Sequence, residues 1–206
     1  MMRGIRMNGV DLGWAWRRLG TAALLSAALV LTATVRPPAA AAQEPAVEFM
    51  KRVSKDLIAA ANSGSAQGFA DAINKYGHFR AIGDYALGTY KPRLTAADRE
   101  PYYAGLVRFI ARYAAGEAPK YPVSHAEILS PPTHTTKGVF VDSRVHLKDG
   151  TSYDVQWRLI PQGGSFRVFD AQVLSFWMTP FLKDLFEKYV GDNNGNVQAL
   201  VVALNR

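Results

Sequence analysis

The chain has 206 residues, 24 of them basic and 17 acidic, a formal charge of +7, and no cysteine. The missing thiols exclude a disulfide framework, thiol chemistry and an N-terminal lipidated cysteine. Five arginines and one aspartate fall in residues 1–42, leaving 19 basic against 16 acidic residues, +3, for the remainder; so mild a charge gives little reason to invoke nucleic acid but suits contact with anionic lipid surfaces.

Arg3, Arg6, Arg17 and Arg18 come before an apolar run from Leu19 to Val35, which ends in RPPAAAAQ. A basic start, an apolar middle and a small-residue end are the marks of a secretory leader. Residues 1–42 are expected to be a cleaved signal peptide and residues 43–206 one domain with a single core. A membrane anchor would need about 20 apolar residues, and this run is shorter. Arg17-Arg18 leaves the choice between the general and the twin-arginine export route open.

Downstream, Val47, Met50, Leu57, Ile58 and Ala61 fall at helical spacing, predicting a helix over 45–61. NSGSAQG breaks it, and a second helix over 67–76 carries Phe69, Ile73 and Tyr76. HFRAIGDYALGTY reads as a third, ended by Gly88. Thr95 and Asp98 are spaced as a capping pair for a fourth, whose stripe is Tyr102, Leu106, Phe109, Ile110 and Tyr113.

The second half changes period. Segments 123–129, 138–147, 152–160 and 166–173 alternate as four strands, the last three joined by the short glycine-containing loops KDGT and PQGGS and therefore antiparallel neighbours. Val139, Val141, Val145 and Leu147 share one face of the second strand, and Tyr153, Val155, Trp157 and Leu159 one face of the third; Asp142, Arg144, His146, Asp154, Gln156 and Arg158 take the other. Thr179 and Pro180 then read as the cap and first turn of a helix carrying Phe181, Leu182, Leu185, Phe186, Tyr189 and Val190. A short last helix starts near Asn196. The expected fold is α+β, a four-stranded antiparallel curved sheet with helices packed on its apolar face.

Chemistry is sparse. His78, His125, His134 and His146 have no partner at metal-ligand spacing, and no nucleophile elbow or phosphate-binding glycine loop is present. Asp154 lies on the wet face. Asp170 interrupts the alternation of its strand and is expected to tie down the strand end through backbone hydrogen bonds. Against this stands an apolar surplus. Val145, Val155, Trp157, Leu159 and Val168 face inward from the strands. Phe176, Trp177 and Met178 occupy LSFWM, a junction that chains usually cross on polar residues. Phe181 and Leu185 follow on the next helix, and Tyr85, Phe109 and Tyr113 come from the earlier ones. Periodicity does not separate a filled interior from a lined hollow.

Several stretches in order resemble one family. VEFMKRVSKDLI, HFRAIGDYALGTY, LVRFIARYAA and GGSFRVFDAQVLSFWMTPFLKDLF are similar to segments of the MlaC / toluene-tolerance family of periplasmic phospholipid-binding ABC transport components. Phe79, Ala86, Leu87, Gly88 and Tyr90 match its aromatic-glycine segment, Leu106 to Tyr113 its helical stripe, and Gly164, Phe166, Arg167, Val168, Phe169, Asp170 and Ser175 its last strand. The chain departs from the pattern at Leu174, where the family usually has a glycine shortly before the serine, and at Pro180 and Phe181, where a tyrosine-arginine pair is common. These departures fit a hopanoid-associated branch or a divergent paralogue.

The resemblance implies a sheet curved around a hydrophobic pocket, similar to the nuclear-transport-factor cone, holding the acyl chains of a phospholipid as cargo with no other cofactor. It implies as partners an inner-membrane ABC transporter with an MCE-domain subunit and an outer-membrane lipoprotein complex, and as location the periplasm. The lining would then be drawn from the thirteen apolar residues of the surplus, and Arg144, Arg158 and Arg167 are candidates for phosphate or membrane contact. Two rivals stay open: an enzyme of ketosteroid-isomerase-like architecture using Asp170 and Tyr153, and an interaction module with a filled core.

Overall fold

The computed structural model describes residues 44–129 and 131–206; the leader expected over 1–42 lies outside them. Helix α1 (Pro45–Ser63) has proline in its first turn, where a missing N–H costs nothing, and stops at Gly64 with φ of 61°. Ser65 caps α2 (Ala66–Tyr76) by accepting the Gly68 N–H at 2.9 Å. After α3 (Phe79–Ala86) a 3-10 segment runs from Gly88 to Arg93. The α4 helix (Arg99–Glu117) has Asp98 at its N-cap; Thr95 does not cap it but braces that aspartate, accepting its N–H and donating to its carboxylate at 2.7 Å.

The sheet has six strands, not four: β1 (Val123–Ile128), β2 (Thr133–Thr135), β3 (Gly138–Leu147), β4 (Ser152–Gln162), β5 (Ser165–Val173) and β6 (Phe176–Trp177). Their order is β1-β3-β4-β5-β6, with β2 also paired to β3, and every ladder is antiparallel. The two additional strands are three and two residues long, too short to display an alternation. The turn joining β5 to β6 is the pair Leu174-Ser175, with φ of 48° and 72°. Primed two-residue hairpin turns demand such angles and normally use Asn and Gly, so the sequence conceals the turn.

Inward from the sheet point Val139, Val141, Val155 and Leu159, all buried, and Ser143 between them. The outer face is wet and cross-linked: Gln156 donates to Asp142 at 2.8 Å, Arg144 grips Asp154 in two bonds of 2.7 and 3.0 Å, and His146 meets Glu127 at 3.1 Å. Such exposed pairs contribute only about 0–1 kcal/mol each.

The interruption at Asp170 is a bulge. Leu159 pairs with Val168 but Arg158 with Asp170, so Phe169 is left over. Beyond it the alternation resumes shifted by one, with Ala171 opposite Trp157 and Val173 opposite Val155. A bulge re-aims side chains in this way.

Helix α5 (Met178–Asp192) begins one residue before the expected threonine cap; Trp177 is its N-cap and caps nothing with its side chain. Asn196 caps α6 (Val197–Leu204), accepting the N–H groups of Gln198 and Ala199. Buried apolar side chains fall into separate clusters rather than one. A helical core joins α3, α4, α5 and α6 around Tyr102, Leu106, Phe186 and Leu200. A sheet core joins α1 and α2 to the inner face of the strands around Phe49, Met50, Val141 and Leu159. A small alanine-rich contact of α1, α2 and α4 links them.

Candidate functional site

A cavity of about 210 Å³ lies between the two cores. Val53 and Leu57 of α1 and Ala72, Ile73 and Tyr76 of α2 form one side. Trp157, Val168, Phe169 and Ala171 form the sheet side, and Ile82, Ile110, Met178, Thr179 and Leu182 come from the remaining helices. These are helix-stripe and strand-face positions, set apart from ordinary core only by the fact that their side chains do not meet.

The polar atoms of Trp157 and Tyr76 in this wall are occupied. The Trp157 indole N–H donates to Ser143 Oγ at 2.9 Å, and that hydroxyl donates on to the Val155 carbonyl at 3.2 Å. Tyr76 points its hydroxyl out to Asp56, at 2.8 Å. Lys75 grips the same carboxylate, and the two bonds hold Asp56 below the usual carboxylate range. Ring and aliphatic surface is what remains facing the void, so the cavity suits hydrocarbon and gives water few partners.

Asp170 is 7% exposed. Its Oδ1 accepts the Ala171 N–H at 2.9 Å and the Thr179 N–H at 2.8 Å. Burial pushes its carboxyl up, against the opposing pull of those N–H groups and of Arg158. Asp170 lies in the cavity wall with its Oδ1 on backbone donors, but Tyr153, the partner expected of it in the enzymatic alternative, is not in that wall: it lies five residues along β4 from the partner of Asp170, opposite Val145.

Of the thirteen apolar residues expected at a lining, the structure brings Trp157, Val168 and Met178 into the cavity wall. Val155 and Leu159 are buried in the sheet beside it, Val145 is half-buried on the same face, and Phe109 packs edge-on to Phe186 in the helical core at 5.8 Å. The other six stand outside. Trp177 meets Phe140 edge-on on the outer face of the sheet at 6.2 Å, because residue 177 is paired with outward-facing Gln172. Phe176 is 69% exposed beside the hairpin turn, and Tyr113 is 60% exposed because it lies on the face of α4 turned away from Ala111 and Ala115, which pack on α1 and α2. Phe181 and Leu185 are exposed on the solvent side of α5, whose buried stripe is Leu182, Phe186 and Val190. Exposed Tyr85 meets the Phe169 ring edge-on at 6.3 Å, behind the wall that Phe169 helps to form. LSFWM is therefore a turn, an exposed rim and one wall residue, Met178.

The cations are mostly engaged. Arg144 is held by Asp154, Arg167 donates to the Lys75 carbonyl, and Arg158 donates to the Lys137 carbonyl at 2.8 Å while its guanidinium lies 4.7 Å over Phe169. Among the described residues no group of three or more His, Cys, Asp or Glu could hold a metal ion, and no helix is long and apolar enough to cross a membrane. A larger groove of about 930 Å³ runs between α1 and β1, lined by Val47, Ile58, Ile128 and Leu129 together with Glu44, Lys51, Lys55, His125 and Glu127, and it is open to solvent.

The model of the MlaC protein family matches residues 45–206. A solved phospholipid-binding protein from Ralstonia solanacearum, determined in complex with a phospholipid, superposes with a TM-score of 0.61 at 18% identity, over 79% of this chain and 96% of that one. No curated protein matches the chain.

Proposed function

Because this chain belongs to the MlaC family, we propose that it is a carrier that takes the acyl chains of a phospholipid into the cavity between its two cores and leaves the head group in solvent. The observation that carries this reading is the cavity itself, which meets the void with side chains from every layer and almost no free polar atom. The Ralstonia protein of similar fold holds a phospholipid, and this chain is read as handling the same class of cargo.

Each methylene hidden from water is worth about 0.8 kcal/mol. Two chains with about 30 methylenes then amount to roughly 20 kcal/mol or more, so release into water is negligible. Hand-over by contact follows, between an outer-membrane lipoprotein complex and an inner-membrane ABC transporter with an MCE-domain subunit. The exported protein would work in the periplasm as one domain over residues 43–206, binding cargo and catalysing nothing. The cavity is below the roughly 300–1,000 Å³ of ordinary ligand pockets, so a loaded form needs the two cores to part.

Native mass spectrometry on protein exported with its own leader and purified without detergent tests the reading. A stoichiometric adduct that extracts as phospholipid is the expected result. A bare mass that persists after incubation with phospholipid vesicles sinks it.

A further inference from the structure

The first turn of α5 supplies Met178, Thr179 and Leu182 to the cavity wall, yet it has no capping side chain of its own. A helix start leaves several N–H groups without intrahelical partners. Pro180 has no N–H to satisfy, and the Thr179 N–H is taken by Asp170 from across the junction. Thr179 replies by donating its hydroxyl to the Phe169 carbonyl at 3.0 Å.

Both bonds land at the bulge of β5. The β6 ladder ends where Trp177 meets Gln172, and on the other side the His78 N–H closes onto the Val168 carbonyl at 2.8 Å. Between these two attachments the edge of β5 carries Phe169, the cavity-wall ring that Tyr85 covers from outside. The two cores therefore meet at this edge through two polar bonds of Thr179, one to the Asp170 carboxylate and one to the Phe169 carbonyl.

We propose that Asp170 is the latch of the cavity: its hold on the Thr179 N–H keeps the first turn of α5 against the sheet edge, and loading requires that bond to break. This rests on the carrier reading for what enters, but the latch is a property of the closed form. A charge-assisted acceptor is about twice as strong as a neutral one, so Asp170→Asn keeps the shape and one acceptor while weakening the hold. Thr179→Val removes the reciprocal bond and leaves the carboxylate in place.

Hydrogen exchange and lipid uptake, measured together, test the latch. With Asp170→Asn the amides of residues 178–182 are expected to exchange roughly tenfold faster, with those of α4 and α6 unchanged. Uptake of pyrene-labelled phosphatidylglycerol from phosphatidylethanolamine–phosphatidylglycerol vesicles should quicken several-fold, and Thr179→Val should move both readouts in the same direction. Unchanged amide protection in both variants overturns the latch. So does faster exchange combined with wild-type uptake rates. If the wild-type protein takes up no lipid while Asp170→Asn still loses protection at 178–182, the latch holds as the closure of the two cores and the carrier reading is what fails.

Discussion

Around Tyr102 the interior is closed. The ring is fully buried, its hydroxyl donates to the Gly83 carbonyl at 2.8 Å, and Tyr103 and Phe186 pack against it at 5.4 and 6.5 Å. Around Trp157, in the other half, an equally large ring has its polar handle satisfied by Ser143 and then faces a void. Both halves draw on the same apolar residue types at regular spacing. They differ in what stands opposite: Gly83 lets α3 and α4 approach until a Cβ there would lie 3.0 Å from Leu106 and Tyr102, whereas the sheet presents Ala171 beside Trp157 and leaves the volume empty. A filled core and a lined hollow are thus distinguished by small residues, which close the gap in one place and create it in the other.

Truncations test that contrast most strongly. Phe186→Ala in the helical core should cost about 3–5 kcal/mol in urea unfolding, and Ile73→Ala at the cavity wall should fall near the low end of about 2–5. Equal costs would mean that the two halves are packed alike. Filling the hollow comes next: Ala171→Leu places three more carbons in apolar surroundings, worth about 2 kcal/mol if they fit without strain, and should abolish lipid uptake. Wild-type uptake by that variant would show that the cavity is not the cargo site. Gly83→Ala should destabilise by about 1–3 kcal/mol through overpacking, with occupancy by lipid unchanged.

The smallest effect appears only in alkali. Burial, with the Asp84 carboxylate accepting its hydroxyl, pushes the Tyr103 phenol up to about 12. The folded value lies above the ordinary 10, so the native state holds this proton more tightly than the unfolded chain. The stabilisation is complete below pH 10 and is lost as the pH rises towards 12. Phenolate absorbance during unfolding at stepped pH should show this slope, and Tyr103→Phe should reduce it to the part carried by Tyr102, whose deeper burial also pushes its phenol up.

Much of the closed half can be read from the residues alone. The stripe from Tyr102 through Leu106 has a 3.6-residue period, and one face of an isolated helix is enough to predict burial. The hairpin order of β3, β4 and β5 follows equally well from short glycine loops. The hollow half is harder because its determinants are pairwise. The break in alternation at Asp170 is visible, but that it is a bulge at Phe169 depends on which β4 residue lies opposite. Leu174-Ser175 hides a hairpin by using residues that turns avoid, so Phe176 and Trp177 look like a plug and are rim and outer face. Leu57, Ile73, Tyr76 and Ile110 were visible as helix stripes; that they stop short of touching is a matter of volume, which no periodicity encodes.

The strand order has a consequence for biogenesis. Apart from the contact of β1 with β3, each ladder joins strands consecutive in the chain, so the sheet can zip up from local hairpins once its residues are available. Helices α1 and α2 cannot wait on equal terms. Phe49 meets Tyr76 of α2 within the pair, but the other partners of Phe49 and Met50 lie from Val139 to Phe166, about ninety or more residues downstream. Until that segment arrives these helices hold an apolar face with nothing to cover it, the condition in which nascent chains aggregate. A holdase that shields amphipathic helices during synthesis should therefore act on this chain through its first thirty described residues, before any strand exists.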